Sequence, residues 1–218
     1  MAIKVKICGL KTEAALAAAL TAGADYVGFV FYPPSPRYVA PATAAKLARQ
    51  VALPARKVAV CVDADDRALD DITAALEPDF FQLHGAESIL RVTEVQRRYG
   101  RPVIKAVAIA GEADVARAHA YEEVADMLLL DAKPPADGAE SLPGGNGLAF
   151  DWRLIAGERW GRPWLLSGGL STANVREAIA EARAPGVDVS SGVERRPGDK
   201  DPDLIRQFLS AAKSSACG

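Results

Sequence analysis

The sequence is poor in the residues that bind metals or form disulfides. Its 218 residues include only three cysteines, Cys8, Cys61 and Cys217, and only two histidines, His84 and His119. The cysteines lie far apart and no C-x-x-C pair occurs, so we expect neither a zinc site nor a disulfide framework. Free cysteines are typical of a protein from a reducing compartment.

Long apolar runs and blocks of basic charge are also missing. No apolar run is long enough to span a bilayer, and the first residues begin a strand without the apolar segment of a signal peptide. The formal net charge is -2, so nothing indicates binding to nucleic acid or to an anionic membrane. We therefore expect a soluble, cytoplasmic protein.

What the sequence does contain is enough apolar material for one domain. Half of the residues are hydrophobic and a quarter are charged, a balance that allows a sizeable core. The length lies near the lower end of the range for a (βα)8 barrel. We predict a single domain over residues 1–218, with a frayed tail at 213–218.

Short β-branched runs alternate with Ala-rich stretches eight times. The predicted strands are residues 3–8, 26–31, 57–62, 80–83, 103–107, 127–130, 164–167 and 187–190. The predicted helices are residues 12–22, 43–51, 66–76, 87–99, 112–121, 152–156, 173–183 and 202–212. This alternation is typical of parallel strands with crossover helices.

The number of units favours a closed α/β barrel. A doubly wound open sheet would show the same alternation, but no G-x-G-x-x-G follows the first strand. Several strands are nearly all apolar, as expected when both faces of the sheet are covered. We predict a (βα)8 TIM barrel, in which the residues after each strand form the site.

Glycines follow the seventh and eighth predicted strands. Gly168-Gly169 and Ser191-Gly192 stand where barrels of this kind often bind phosphate. Glycine lets backbone N–H groups approach a ligand closely, although Gly-rich turns also occur for steric reasons. We predict a phosphate site at Gly168, Gly169, Ser191 and Gly192.

Other strand ends carry residues that could do chemistry. Cys8 is either a small buried hydrophobe or an activated thiolate, and Asp131 either caps a loop or acts as a catalytic carboxyl. Arg37 is either a surface residue or a planar fork for a carboxylate. Gln82 and His84 are expected to line the pocket, and a structural role for His84 is the alternative.

The longest irregular stretch covers residues 132–149, with Pro134-Pro135 and Gly144-Gly145 inside it. A loop of this length in a compact domain is usually functional or disordered. It leaves the sixth strand on the side where barrel enzymes place their sites. We interpret it as a mobile active-site loop, with a plain solvated connection as the alternative.

Segments along almost the whole chain resemble the phosphoribosylanthranilate isomerase family. They are KVKICG (4–9), GFVF with SPR (28–37), FQLHG (81–85), LLD (129–131), GGNG with FDW (144–152), GGL with NV (168–175), and VDVSSGVE followed by PG and KD (187–201). The first and the last are the most specific. Two positions depart from the family pattern: Asn146 replaces an expected Thr or Ser, and Ser167 an expected Ala.

The resemblance implies an isomerase of tryptophan biosynthesis that needs no cofactor. Its reaction is the Amadori rearrangement of N-(5-phosphoribosyl)anthranilate to 1-(2-carboxyphenylamino)-1-deoxyribulose 5-phosphate. It further implies that Cys8 is the general base, Asp131 the general acid and Arg37 the ligand of the anthranilate carboxylate. The only partner expected is this small sugar phosphate, and the chain is expected to be a monomer or a homodimer.

The implied chemistry sets requirements on both catalytic groups. Asp131 would protonate the ribose ring oxygen, which opens the ring to a Schiff base, and the Cys8 thiolate would then take the proton from sugar C2. We therefore expect both groups to be shifted toward their working forms, a protonated acid and an ionised thiol.

Three alternatives remain open at this point. Another sugar-phosphate isomerase, epimerase or aldolase on the same scaffold would need metal ligands, a Schiff-base lysine or a carboxylate pair. A bifunctional isomerase that also serves histidine biosynthesis would be expected to carry aspartate in place of Cys8. A catalytically inactive barrel that binds a phosphate ligand is the third, although the presence of both Cys8 and Asp131 argues against it.

Strand parity gives one further prediction. Side chains alternate along a strand, so Lys6 shares the face of Cys8. In a closed barrel the first strand lies beside the eighth, where Asp188 and Ser190 share a face. We predict an ion pair between Lys6 and Asp188 inside the barrel, close enough for the cation to favour the Cys8 thiolate. The alternative is that both residues face outward.

Overall fold

The computed structural model describes residues 2–133 and 150–215. The strands of its barrel are β1 (Lys4–Cys8), β2 (Tyr26–Val30), β3 (Arg56–Cys61), β4 (Phe80–Leu83), β5 (Val103–Ile109), β6 (Met127–Ala132), β7 (Trp164–Leu166) and β8 (Gly186–Val189). The helices are α1 (Glu13–Thr21), α2 (Pro41–Ala48), α3 (Asp66–Leu76), α4 (Ile89–Tyr99), α5 (Glu112–Glu122), α6 (Arg153–Ala156), α7 (Val175–Ala182) and α8 (Pro202–Ser214).

The eight strands form a closed, all-parallel barrel, as predicted. Each strand pairs with the next one along the chain, and β8 pairs with β1 in a register that places Lys6 beside Asp188. Closure leaves the barrel sheet of β1 to β8 without an edge, and it brings all carboxyl ends of these strands to one mouth. Between β8 and α8 the chain adds a 3-10 turn (Ser191–Val193) and a small hairpin of β9 (Glu194–Arg196) and β10 (Asp199–Lys200), which were not predicted.

Alternation along the strands separates two apolar layers. The inner layer fills the barrel and consists of Cys8, Val30, Val58, Val60, Ile104, Ala106, Met127, Leu129 and Leu165. The outer layer lies between the strands and the helices and includes Ile7, Phe29 and Phe81, all fully buried. In β1, therefore, Val5 and Ile7 point toward the helices while Cys8 points into the barrel.

Local capping explains why several predicted helices began too early. The side chains of Thr12, Asp65 and Ser88 accept hydrogen bonds from the backbone N–H groups of Ala15, Ala68 and Arg91. A capping residue has an extended backbone and precedes the helix. Thr12 and Ser88 therefore stand outside helices that the sequence pattern had extended over them. Pro41 at the first turn of α2 starts that helix two residues earlier than predicted.

The predicted frayed tail is wrong for its first two residues. Lys213 and Ser214 belong to the last turn of α8. Lys213 Nζ lies 3.1 Å from a carboxylate oxygen of Asp25, and Ser214 Oγ donates to the carbonyl of Ala211 at 2.9 Å. The contact with Asp25 holds the helix end against the start of β2, and the bond to Ala211 lies within the helix. Residues 216–218, and 134–149 of the predicted active-site loop, lie outside the described residues.

Within residues 2–133 and 150–215, no helix has both the length and the apolar character needed to cross a membrane.

One surface cluster ties α5 to the segment before β7. His119 places Nδ1 2.7 Å from Glu122 and Nε2 3.0 Å from Glu158, and its ring stacks on Trp160 with centroids 4.3 Å apart. The hydrogen bonds to Glu122 and Glu158 outweigh partial burial and raise the pKa of His119 above its ordinary value of 6.5. The imidazolium therefore stabilises the folded state.

The contribution of His119 to the free energy of unfolding should therefore fall as the pH rises and its imidazolium loses the proton. Because the folded-state pKa is raised, the contribution of His119 is complete below the unfolded pKa and is lost as the pH rises through the folded one. We expect the difference in unfolding free energy between the wild type and His119→Gln to be largest near about pH 5.5 and to shrink toward about pH 9. Urea unfolding at several pH values measures it, and a difference that stays constant or grows with pH would contradict the assignment.

Candidate active site

Cys8 and Asp131 lie on different sides of the same mouth. Cys8 ends β1 and is 7% exposed, whereas Asp131 is the second-last residue of β6 and is 5% exposed. Two strands, β7 and β8, separate β6 from β1 around the closed barrel. β6 runs two residues further than predicted, so Asp131 is held by strand geometry and not by a loop. The site thus contains one thiol and one carboxyl, both largely shielded from water.

The predicted ion pair inside the barrel is confirmed. Lys6 Nζ lies 2.8 Å from Asp188 Oδ1, and the two side chains are 0% and 5% exposed. Ser167 Oγ donates to the second carboxylate oxygen of Asp188 at 3.2 Å. Position 167 is one of the two that depart from the family pattern. Its serine hydroxyl therefore completes the hydrogen bonding of a buried carboxylate, which the expected alanine could not do.

The ammonium group of Lys6 also reaches the thiol of Cys8. Both groups lie over Gly28 of β2, with Lys6 Nζ 3.1 Å and Cys8 Sγ 3.2 Å from the position that a Cβ atom would take there. A Cβ atom at position 28 would crowd both groups, which would have to shift by a few tenths of an ångström. Gly28 thus provides the space in which cation and thiol meet.

The charge states of this group follow from burial and pairing. Burial alone would lower the pKa of Lys6, but Asp188 and Cys8 together raise it, so the ammonium persists. Burial raises the pKa of the Cys8 thiol, and the opposing effects of Lys6 and Lys200 do not reverse that shift. The expectation of a thiol shifted toward the thiolate is therefore wrong for this state of the chain, because desolvation outweighs the nearby cations.

Asp131 is connected to both residues that were predicted to line the pocket. Its Oδ1 accepts from the backbone N–H of Ala132 at 2.9 Å, and its Oδ2 lies 3.2 Å from His84 Nε2. His84 Nδ1 in turn lies 2.7 Å from Gln82 Nε2. The sequence placed these residues near each other only as pocket lining, whereas the structure joins them in one hydrogen-bonded chain.

Arg37 is held by a carboxylate of the chain itself. Its Nε lies 2.9 Å from Oε1 of Glu194, and its Nη2 lies 2.9 Å from Oε2. The arginine is 6% exposed. Its side chain also covers Gly9, with Cδ 3.0 Å from the position of an added Cβ. The surface alternative for Arg37 is thus excluded. A substrate carboxylate bound here would share the guanidinium with Glu194.

A second cation shares the same carboxylate. Lys200 Nζ lies 2.6 Å from Glu194 Oε1, and it also donates to the carbonyl and the hydroxyl of Ser190. Burial lowers the pKa of Lys200 in spite of Glu194. Against the effect of its own burial, Arg37 and Lys200 hold the pKa of Glu194 below its usual range. Two cations around one carboxylate leave a surplus positive charge at this side of the mouth.

The loops after β7 and β8 meet closely, as a phosphate cradle requires. A Cβ atom on Gly192 would lie 1.9 Å from the carbonyl oxygen of Leu170, so only glycine fits there. Gly168 and Gly169 both have positive φ, at +88° and +62°, and Ser191 begins the 3-10 turn. The glycines therefore have a steric reason to be present, and phosphate binding at these four residues stays a prediction.

Sequence reasoning assigned no role to several buried charged residues, among them Glu194, Lys200 and Lys105. Glu194 and Lys200 lie in the segment of family resemblance, but no role was assigned to them. Lys105 in β5 is 2% exposed, and its Nζ lies 2.8 Å from Glu87 on the outer side of the barrel, past the end of β4. The argument from burial used for Lys6 could have found Lys105, since a lysine inside an apolar strand needs a buried partner. Within the described ranges, no group of three or more His, Cys, Asp or Glu side chains could hold a metal ion.

Comparisons with known proteins agree on one family. Residues 5–211 match the family model described as N-(5'phosphoribosyl)anthranilate (PRA) isomerase. A protein of that function from Paracoccus denitrificans is 60% identical over 212 residues, covering 97% of this chain and 98% of that protein. One from Mesorhizobium japonicum is 52% identical over 99% of this chain and 97% of that protein.

Solved structures agree with the sequence relatives. The crystal structure of phosphoribosyl anthranilate isomerase from Thermotoga maritima superposes with a TM-score of 0.87 at 39% identity, covering 97% of this chain and 99% of the other. Another structure of such an isomerase, in complex with reduced 1-(o-carboxyphenylamino)-1-deoxyribulose 5-phosphate, has a TM-score of 0.84 at 38% identity over the same shares. This chain therefore belongs to the N-(5'-phosphoribosyl)anthranilate isomerase family.

Proposed function

We propose that this chain converts N-(5-phosphoribosyl)anthranilate to 1-(2-carboxyphenylamino)-1-deoxyribulose 5-phosphate in tryptophan biosynthesis, with Asp131 as general acid and Cys8 as general base. The observation that carries the assignment of roles is the placement of one carboxyl and one thiol at the same mouth, on strands β6 and β1. An Amadori rearrangement needs one group that gives a proton to oxygen and another that removes a proton from carbon.

The first step opens the sugar. Asp131 gives its proton to the ribose ring oxygen, the C1–O bond breaks, and the anthranilate nitrogen supplies the electron pair that forms a C1=N Schiff base. The backbone N–H of Ala132 donates to the carboxylate that this step leaves behind. Donors already in place stabilise the charge as it develops.

The second step transfers the C2 proton. Cys8 Sγ takes that proton, and the C2–H electron pair shifts to form the enolamine, which neutralises the iminium nitrogen. The enolamine then takes a proton at C1 and loses one from the C2 hydroxyl, which gives the ketone without net gain or loss of electrons. Burial raises the pKa of Cys8 and so opposes ionisation of the thiol. The charges that favour the thiolate are the ammonium groups of Lys6 and Lys200.

The two anionic ends of the substrate have matching sites. The surplus positive charge at Arg37, Glu194 and Lys200 suits the anthranilate carboxylate. The phosphate would lie at Gly168, Gly169, Ser191 and Gly192, where the loops after β7 and β8 meet. Glu194 begins β9 directly after the turn that contains Ser191, so the hairpin that holds Glu194 and Lys200 continues from the loop proposed for the phosphate.

We further propose that the enzyme works in the cytoplasm. Its cysteine pattern suits the reducing cytoplasm. For assembly we propose a monomer or a homodimer, and the relative from Thermotoga maritima is described as dimeric.

The change at the reacting carbon can be followed with substrate that carries 13C at ribose C2. On incubation with the purified protein, the label should move from the alcohol region of the carbon spectrum to the ketone region, while the mass of the compound stays the same. Retention of the alcohol signal, or a product of different mass, would contradict the proposed isomerisation.

Replacement of Arg37 tests the carboxylate subsite. We expect Arg37→Lys to lower kcat/KM for the natural substrate, because an ammonium cannot serve Glu194 and a substrate carboxylate as a planar guanidinium can. A substrate analogue without the carboxylate separates this effect from damage to the fold. The kcat/KM for this analogue should hardly respond to the substitution. Equal losses for both compounds would exclude a contact between Arg37 and the substrate carboxylate.

A further inference from the structure

Gln82 is buried and His84 is partly buried, and the reaction so far gives neither of these polar residues a role. Gln82 is fully buried in β4, and its side chain points into the barrel toward His84. His84 follows β4, and its Nε2 lies 3.2 Å from Asp131 Oδ2 on β6, two strands further round the barrel. The three side chains therefore form a chain of contacts that ends on the group assigned as the acid.

The amide of Gln82 determines which nitrogen of His84 carries the proton. An amide nitrogen donates and cannot accept, so His84 Nδ1, 2.7 Å away, must be the acceptor. The proton of the neutral ring then lies on Nε2, which donates it to Asp131 Oδ2. Among the described residues Gln82 Oε1 has no partner. Turning the amide over would leave both N–H bonds of the buried amide unpaired, in place of one N–H and one oxygen, and an unpaired buried N–H is rarer in proteins than an unpaired oxygen.

The backbone around His84 is fixed from the outer side of the barrel. Lys105 Nζ donates to the carbonyls of Leu83 and Gly85 at 3.2 and 2.8 Å, and it pairs with Glu87. The backbone N–H of His84 donates to the carbonyl of Cys61 at 2.8 Å. The residues on both sides of His84 are thus held before any substrate binds, as preorganisation requires.

We propose that Gln82 and His84 are positioning residues for Asp131: Gln82 fixes the Nε2–H tautomer of His84, and that N–H stabilises the carboxylate that forms when Asp131 gives up its proton. The proposal rests on the assignment of Asp131 as general acid. A hydrogen bond to an ionised acceptor is about twice as strong as one to a neutral acceptor. The interaction therefore strengthens in the transition state and acts on kcat more than on KM.

The tautomer can be observed directly, because the chain has only two histidines. His119→Gln removes the other ring, which lies at α5 and has no part in the site. The 15N spectrum of this variant then reports His84 alone. We expect a protonated Nε2 and an unprotonated Nδ1, and a mixture of tautomers when Gln82→Leu is added. A proton on Nδ1 with Gln82 intact, a doubly protonated ring, or a tautomer that ignores Gln82→Leu would overturn the proposal.

Kinetics of two matched variants test the effect on catalysis. The amide nitrogen of glutamine reaches toward the place of His Nε2, whereas that of asparagine reaches only toward Nδ1. We expect His84→Asn to lower kcat by about tenfold to a hundredfold with KM nearly unchanged, the loss expected for a hydrogen bond to a charged group. His84→Gln should keep most of the turnover. Equal losses in both variants, or losses that appear mainly in KM, would reduce His84 to a structural role.

Two variants distinguish a failure of this inference from a failure of the assignment of Asp131 as general acid. If Asp131→Asn turns over like the wild type, the assignment of the acid fails and this inference fails with it. If Asp131→Asn is inactive while His84→Asn is fully active, the acid stands and only the role of Gln82 and His84 is overturned.

Discussion

Cys8→Ala is expected to lower kcat by at least about a hundredfold while KM changes much less, the usual scale for a lost general base. The thiol ends β1 at the barrel mouth and meets Lys6 over Gly28. Alanine leaves the strand intact but offers nothing that can take the C2 proton. Initial rates over a range of substrate concentrations, followed by anthranilate fluorescence, measure both constants.

Asp131→Asn is expected to show a loss of the same size. Asparagine has nearly the same shape and can still accept from the Ala132 N–H, but it has no carboxyl proton to give to the ring oxygen. Binding should be kept because the charge of the group matters mainly in the transition state. Near-wild-type turnover in Cys8→Ala or Asp131→Asn would remove that residue from its role.

Cys61→Ala is the matched control for the thiol. Cys61 ends β3 as Cys8 ends β1, but it is fully buried and packs in the outer layer between strands and helices. Burial also raises the pKa of Cys61. Its replacement should reduce stability through lost packing and leave kcat unchanged. A similar loss of kcat in both alanine variants would point to packing and not to proton transfer.

Removing either partner of the Lys6–Asp188 pair is expected to have the largest effect on stability. Lys6→Met or Asp188→Asn should each lower the unfolding free energy by roughly 3–5 kcal/mol, because the remaining charge is left buried without its partner. The two side chains are 0% and 5% exposed and only 2.8 Å apart. Urea unfolding followed by circular dichroism measures the change.

The double variant Lys6→Met/Asp188→Leu shows whether the pair acts as a unit. With both charges gone, no buried charge is left unpaired, so the double variant should be less destabilised than the sum of its two parent single variants, Lys6→Met and Asp188→Leu. Purely additive losses, or single losses below about 1 kcal/mol, would contradict a buried, mutually dependent pair.

The fold and the pair in its core could be predicted because both depend on simple periodicities. Eight alternating units indicate a barrel, and a period of two along β1 and β8 places Lys6 and Asp188 on inward faces. Closure then puts the first and eighth strands side by side. The boundaries were less accurate, since capping residues such as Thr12 and Ser88 belong to neither element by pattern alone.

The chain's own partners for its site residues could not be predicted in the same way. Arg37 and Glu194 lie 157 positions apart, and they meet only because the hairpin after β8 folds back toward the loop after β2. Nothing in the local sequence of either residue indicates that contact. The raised pKa of Cys8 was also missed, because it depends on how far burial outweighs Lys6 and Lys200 in three dimensions.

The most direct test of the account is the loss of anthranilate fluorescence when N-(5-phosphoribosyl)anthranilate is mixed with the purified wild type or with Cys8→Ala/Asp131→Asn. We expect rapid loss with the wild type and a rate close to that of buffer alone with the double variant, since both proton-transfer groups at the mouth are gone. Substrate that stays unchanged with the wild type would contradict the activity. Rapid loss with the double variant would contradict the roles of Cys8 and Asp131.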